Sequence, residues 1–170
     1  IKLEVMPDNS IEANNLPYNF ADSGGTIAAI GIDYINPDKW YVSTTNRKYY
    51  YSLDRGQTFN KVAIPVPGSQ YLYGAHIYSS KSDNKVVYMA GSGYSNPGVV
   101  KSIDGGITYS NMSSGLPSTN VFDLAVTEDD RYAFAATEAG PYMYLAEENK
   151  WYELAQTAAP QQTYWSVEIV

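Results

Sequence analysis

The chain has 170 residues, a formal net charge of −7, 17% charged residues and 14% aromatic residues, among them 17 Tyr. That length fits about one domain with a hydrophobic core, the composition excludes a disordered segment, and an acidic balance without any Lys/Arg cluster argues against a nucleic-acid partner. With no Cys and a single His, His76, disulfides, thiolate zinc sites, cysteine nucleophiles and multi-His metal centres are excluded, and neither a cofactor nor a metal site is expected.

In chain order, residues 1–25 open with a short strand, Ile1-Lys2-Leu3-Glu4-Val5, and read as the end of a preceding unit and a linker. No apolar run approaches the ~20 residues of a membrane span, and no basic-plus-apolar signal pattern leads the chain. Beyond residue 26 the apolar runs are short, rich in Val, Ile and Tyr, and broken by Gly, Pro, Asn or Asp, which predicts strands throughout. Four segments align without gaps: 27–33 (IAAIGID), 72–78 (LYGAHIY), 121–127 (VFDLAVT) and 164–170 (YWSVEIV), with starts 45, 49 and 43 residues apart. Their fourth column is apolar (Ile30, Ala75, Leu124, Val167), as is their sixth (Ile32, Ile77, Val126, Ile169). The third and fifth are mostly small or polar, so each segment alternates with period two.

Second strands are predicted at 40–44, 86–90 and 132–136, third strands at 48–52, 98–102 and 141–144, and fourth strands at 58–62, 108–112 and 150–154. Four short antiparallel strands every ~45 residues is the period of a β-propeller blade. The expected fold is all-β and an incomplete propeller: a blade over 26–71, a second over 72–120, a third over 121–163, and the first strand of a next blade at 164–170. Three blades fall short of the roughly 4 to 8 that close a ring. The open edges are therefore expected to be covered by further blades of a longer parent chain or by a second chain.

Between third and fourth strands stand Ser52-Leu53-Asp54-Arg55-Gly56-Gln57-Thr58-Phe59 and Ser102-Ile103-Asp104-Gly105-Gly106-Ile107-Thr108-Tyr109, which share Ser-x-Asp-x-Gly-x-Thr-aromatic. This resembles the Asp-box, or BNR repeat, with Phe59 and Tyr109 in place of its Trp. The third unit keeps Trp151 but has Tyr144, Ala146 and Glu148 where Ser, Asp and Gly should be. The expected role of Ser52, Asp54, Gly56 and Phe59, and of Ser102, Asp104, Gly106 and Tyr109, is structural: Asp binds turn amides, Gly supplies positive φ, and the aromatic packs beneath the hairpin. Each box offers too few carboxylates for calcium.

The resemblance spans about residues 26–170 and implies a secreted or cell-surface protein. Propellers of this kind occur in sialidases, xyloglucan-cleaving glycoside hydrolases, sortilin-type receptors and bacterial surface proteins. Sialidase chemistry requires three arginines on one carboxylate, and the chain has only Arg47, Arg55 and Arg131, with Arg55 inside a box. Glycoside hydrolysis requires two carboxyl groups about 5 to 9.5 Å apart, for which Asp33, Asp123 and Glu168 on the repeated first strand are the candidates. Tyr71, Tyr73 and Tyr94, at loops or strand ends, are the candidate ligand-binding residues, since such rings stack on sugars or anchor protein partners. Strand tyrosines such as Tyr49 and Tyr50 are expected to fill interfaces between blades. The function expected is recognition or scaffolding toward a polysaccharide or surface protein. The alternative is part of a propeller glycoside hydrolase whose active site is completed by missing blades.

Overall fold

The computed structural model describes residues 1–20, 24–63, 67, 73–93, 97–117, 120–154, 160 and 162–170. Among the described residues all the regular structure is strand. A hairpin of β1 (Lys2–Val5) and β2 (Ile11–Asn14) precedes three four-stranded antiparallel meanders. The first is β3 (Ile27–Ile32), β4 (Trp40–Thr44), β5 (Tyr49–Ser52) and β6 (Asn60–Lys61). The second is β7 (Tyr73–Ser79), β8 (Val87–Ser92), β9 (Val99–Ser102) and β10 (Ser110–Asn111). The third is β11 (Val121–Val126), β12 (Tyr132–Thr137), β13 (Gly140–Leu145) and β14 (Lys150–Glu153). These are three blades of an incomplete β-propeller.

The fourth strands of the first two blades are only two residues long, against four in the third. The difference lies in the turn before them, because Thr58 and Thr108 are drawn back to bond Asp54 and Asp104 instead of entering the ladder. In the third blade a plain turn through Asn149, with φ of 52°, releases the chain earlier. Residues 164–170, expected as a strand, form no ladder among the described residues. They lie against blade three instead, where Tyr164 N–H donates to Thr137 O at 3.0 Å and Trp165 meets the Phe122 ring at 4.3 Å.

Hydrogen bonds set the register between blades. Asp33 N–H donates to Lys39 O, Ser80 N–H to Val86 O and Thr127 N–H to Tyr132 O, which makes Asp33, Ser80 and Thr127 equivalent. Ile30, Ile77 and Leu124 are then equivalent too, and each pairs with a matching residue of the second strand: Val42, Met89 and Ala135. The gapless alignment had matched Ile30 with Ala75. Blade two is therefore displaced by two residues, a slip that keeps every side chain on its own face.

The core lies between blades. Tyr41, Tyr49 and Ala29 of blade one pack with Val87, Met89, Val100 and Tyr109 of blade two. Tyr88, Ala90 and Val99 of blade two pack with Leu124, Ala133 and Trp151 of blade three. Closeness at the inner strands requires small residues: a Cβ on Gly31 would stand 2.8 Å from Ile77 Cγ2.

Candidate functional site

A meander places its turns on two edges. The 1–2 and 3–4 turns of every blade share one edge, and the 2–3 turns and blade-to-blade connections share the other.

The first edge holds the two Ser-x-Asp-x-Gly-x-Thr turns. Ser52 Oγ donates to Asp54 Oδ1 at 2.7 Å and accepts Gly56 N–H at 2.8 Å, while Asp54 accepts Thr58 N–H at 2.8 Å and the Thr58 hydroxyl at 2.6 Å. Ser102, Asp104, Gly106 and Thr108 repeat the set at 2.8, 2.8, 2.8 and 2.5 Å. Gly56 and Gly106 take φ of 81° and 85°, and Phe59 and Tyr109 are buried beneath. Hydrogen bonds from Thr58 first, and then from Ser52, hold Asp54 down at about 2. At Asp104 burial is the largest single influence and acts upward, but the bonds from Thr108 and Ser102 outweigh it and leave the carboxyl below its ordinary range.

Both carboxylates therefore stabilise the fold above the unfolded-state pKa of ~3.9, and this stability is lost as pH falls through their lower folded values. The melting temperature is expected to drop between about pH 4 and pH 2. Asp104→Ala is expected to cost about 1 to 3 kcal/mol at pH 7 and to flatten that acid limb, with Asp54→Ala acting in the same direction. Thermal melts of wild type and variants across that range check both; an unchanged acid limb in Asp104→Ala would contradict the assignment.

Asp33 ends the inner strand at this same edge and is 2% exposed. Its Oδ1 accepts the Ile35 and Asn36 N–H groups at 3.1 and 2.8 Å, and its Oδ2 accepts the Tyr41 hydroxyl at 2.8 Å. Asp123 sits within β11. Its Oδ1 accepts the Tyr78 hydroxyl at 2.5 Å and its own neighbour's N–H, Leu124, at 2.9 Å; its Oδ2 accepts the Ser166 hydroxyl and Val167 N–H at 3.0 and 3.1 Å. Burial pushes the Asp123 carboxyl up, and these four bonds, led by Tyr78, bring it below its usual range. The same contact and, more strongly, burial push the Tyr78 hydroxyl up. Asp123 is equivalent to Ala29, four positions before Asp33 in the blade repeat. At ~3.3 Å per residue this offsets the two carboxyls by ~13 Å along the strand direction, beyond the span of a hydrolytic pair. Glu168 is exposed, on the segment that docks on Asp123.

The opposite edge carries the connections that hold the candidate tyrosines. Tyr71 and Tyr94 lie outside the described residues; Tyr73 begins β7, and its side chain also lies outside them. Arg47, named from the sequence only in the count of arginines, has a structural role here that the sequence did not mark. It sits in the 2–3 turn of blade one with φ of 56°, is 7% exposed, and donates to Pro67 O at 3.3 Å and Pro97 O at 3.2 Å. One guanidinium thus ties the 2–3 turn of blade one, the connection to blade two, and the 2–3 turn of blade two. A planar fork with fixed donors suits that task better than a lysine. Beside it, burial pushes the Tyr49 hydroxyl up to about 12, against the pull of the Arg47 charge.

Among the described residues no group of three or more His, Asp or Glu side chains is placed to hold a metal, and no helix is long and apolar enough to cross a membrane.

No family model matches the chain, and no curated protein matches it. Solved structures do. An ancestral GH74 enzyme superposes with a TM-score of 0.65 at 15% identity, over 85% of this chain and 22% of that one. An auxiliary nutrient binding protein from Bacteroides thetaiotaomicron gives 0.60 at 9% identity, over 86% and 34%. The extracellular domain of BT4673 from the same organism gives 0.58 at 16% identity, over 95% and 21%. At these identities the likeness shows the fold alone. The chain spans between about a fifth and a third of the length of these three structures.

Proposed function

We propose that the chain is a segment of an extracellular Asp-box β-propeller, secreted or held at a cell surface, that works by recognition or scaffolding of a glycan or a surface protein. The observation that carries the reading is the state of the acids. Asp33 is buried with both oxygens bonded, and Asp123 has both oxygens bonded, so neither is free to protonate a leaving group. Their ~13 Å offset along the strand supports the same conclusion. The two hydroxyl-and-amide turns support the Asp-box assignment. Tyr71, Tyr73 and Tyr94 are the proposed contact residues, and Arg47 ties together the 2–3 turn of blade one, the connection to blade two and the 2–3 turn of blade two, the stretches of sequence in or beside which they fall.

The rival reading is a propeller glycoside hydrolase in which Glu168 or Asp123 pairs with a carboxylate from another blade. The GH74 neighbour favours it at the level of fold. Titrating plant and microbial polysaccharides against the protein, with product analysis in parallel, separates the two. Saturable binding is expected without turnover, and Tyr71→Ala, Tyr73→Ala and Tyr94→Ala together are expected to weaken it about 10-fold or more. Hydrolysis that disappears in Asp123→Asn or Glu168→Gln, with folding intact, would replace recognition by catalysis.

A further inference from the structure

The three blades differ at one pair of positions. Tyr78 and Tyr88 stand opposite each other on β7 and β8; the register makes them equivalent to the pairs Gly31 and Tyr41 in blade one and Ala125 and Phe134 in blade three. Blade two therefore has two hydroxyls at this place, where blade one has one and blade three has none. Both cross to the next blade: Tyr78 donates to Asp123 Oδ1 at 2.5 Å and Tyr88 to Asp130 Oδ1 at 3.1 Å. Asp130 Oδ2 also accepts the Ser80 and Ser82 hydroxyls, at 2.5 and 2.9 Å. Four hydroxyls of blade two thus close on two carboxylates of blade three, one on its inner strand and one in its 1–2 turn.

The seam between blades one and two is built otherwise. Gly31 leaves room for Ile77, and the Tyr41 hydroxyl turns back to Asp33 of its own blade. The bonds described across that seam are accepted by the Ser79 hydroxyl and by the carbonyls of Ile32, Asn84 and Pro97, none of which titrates. The charged group there is Lys39, half-buried and within electrostatic reach of Asp33 and Asp104. A hydrogen bond to a carboxylate is roughly twice as strong as one between neutral groups, so protonation weakens the two seams unequally.

We propose that the seam between blades two and three is an acid-released joint: protonation of Asp123 and Asp130 loosens it, while blades one and two stay together. Both sides of the joint are complete four-stranded blades. Asp123 also accepts the Ser166 hydroxyl and the Val167 N–H, and His76 stacks on Tyr78 with ring centroids 6.0 Å apart. Lys101 Nζ stands 5.1 Å from the centre of the Tyr88 ring, and Asp129 and Arg131 flank Asp130 on its own turn. The Lys81–Glu128 pair spans the joint at 3.8 Å, but it is exposed and contributes little. Burial raises the Asp123 carboxyl and its four bonds bring it below the usual range. Their contribution is therefore complete above the unfolded-state value of ~3.9 and is lost as pH falls through the folded one. The joint does not depend on what the opposite edge recognises, so its failure leaves the recognition reading untouched.

Two methionines report the two seams. Met89 is 1% exposed in the core between blades one and two, and Met112 is 3% exposed in the core between blades two and three. Hydrogen peroxide converts an accessible methionine to its sulfoxide, so the rate at each residue, read by peptide mass spectrometry of the 170-residue chain, measures how often that seam opens. Lowering the pH from 7 to 3 is expected to speed oxidation of Met112 about 10-fold or more, and that of Met89 less than about 3-fold. Asp123→Asn with Asp130→Asn removes both charges and keeps the shape; it is expected to speed Met112 oxidation at pH 7, where the carboxylates of the two box turns remain ionised. Tyr78→Phe with Tyr88→Phe removes the donors instead, is expected to act in the same direction, and decides the matter if the asparagine pair does not fold. Equal acceleration of the two methionines in acid, or earlier acceleration of Met89, would overturn the proposal. Met112 rates at pH 7 unchanged in folded variants would overturn it equally.

Discussion

Trp151→Ala is expected to cost about 3 to 5 kcal/mol, enough to bring a domain of ordinary stability, about 5 to 15 kcal/mol, close to its unfolding midpoint. Trp151 is 2% exposed on the fourth strand of blade three, with Tyr144 at 5.3 Å and Met112 and Leu116 in the same cluster. Its Nε1 donates to Met112 O at 2.5 Å, and its own N–H reaches Ser114 O at 3.2 Å. The ring therefore fastens the last blade to the chain leaving blade two. Its removal leaves both a cavity and a buried carbonyl without a donor. Trp151→Phe separates the two effects: most of the ring survives, the donor does not, and the cost is expected to fall to about 1 to 2 kcal/mol. Urea unfolding of both variants provides the measurement. A loss below about 1 kcal/mol for the alanine variant would mean that blade three does not depend on this anchor.

Gly106→Ala is expected to destabilise by about 2 to 4 kcal/mol, from two causes that add. The backbone stands at φ of 85°, and a Cβ would lie 2.7 Å from Tyr41 Cε1. That ring cannot withdraw easily: Tyr41 is 1% exposed, and its hydroxyl is held by Asp33 at 2.8 Å. Gly56 supplies the control. Its φ of 81° is nearly the same, but its nearest neighbour, Trp40 Cε3, stands at 3.0 Å. Gly56→Ala should therefore show the backbone cost with less of the steric one, roughly 1 kcal/mol milder. Equal losses in parallel chemical denaturation would show that the contact with Tyr41 carries no energy.

Much of the architecture was legible because it is local. The strands Trp40–Thr44 and Lys150–Glu153 stand where alternation and turn residues put them, and the two hydroxyl-and-carboxylate turns follow from a spacing of seven residues. What escaped reading depends on pairs one repeat apart. Tyr78 meets Asp123 and Tyr88 meets Asp130 across a blade junction, 45 and 42 residues along the chain, and no local pattern marks such partners. In the sequence Arg47 stood only as one of three arginines weighed for a sialidase carboxylate clamp; its significance appears when Pro67 and Pro97 converge on it. Residues 164–170 have the composition of a strand but form no ladder among the described residues, and alternation alone cannot tell a paired strand from an unpaired one.

The two-residue displacement of blade two says something about which changes of chain length such a molecule tolerates. Adding or deleting two residues before an inner strand moves Ile77 and its neighbours along the ladder yet leaves them pointing toward blade one. One residue would turn the strand over, presenting His76 to the Gly31 seat and Ile77 to the opposite side. Length variation ahead of inner strands in homologous blades should therefore be tolerated chiefly in even steps, with odd steps requiring a bulge to absorb them. All three blades already carry an irregularity near the start of the inner strand, between Ile27 and Ala29, Tyr73 and His76, and Val121 and Asp123. It stands where an odd insertion would need to be taken up, so the repeat holds in advance the means of changing its connections without inverting its faces.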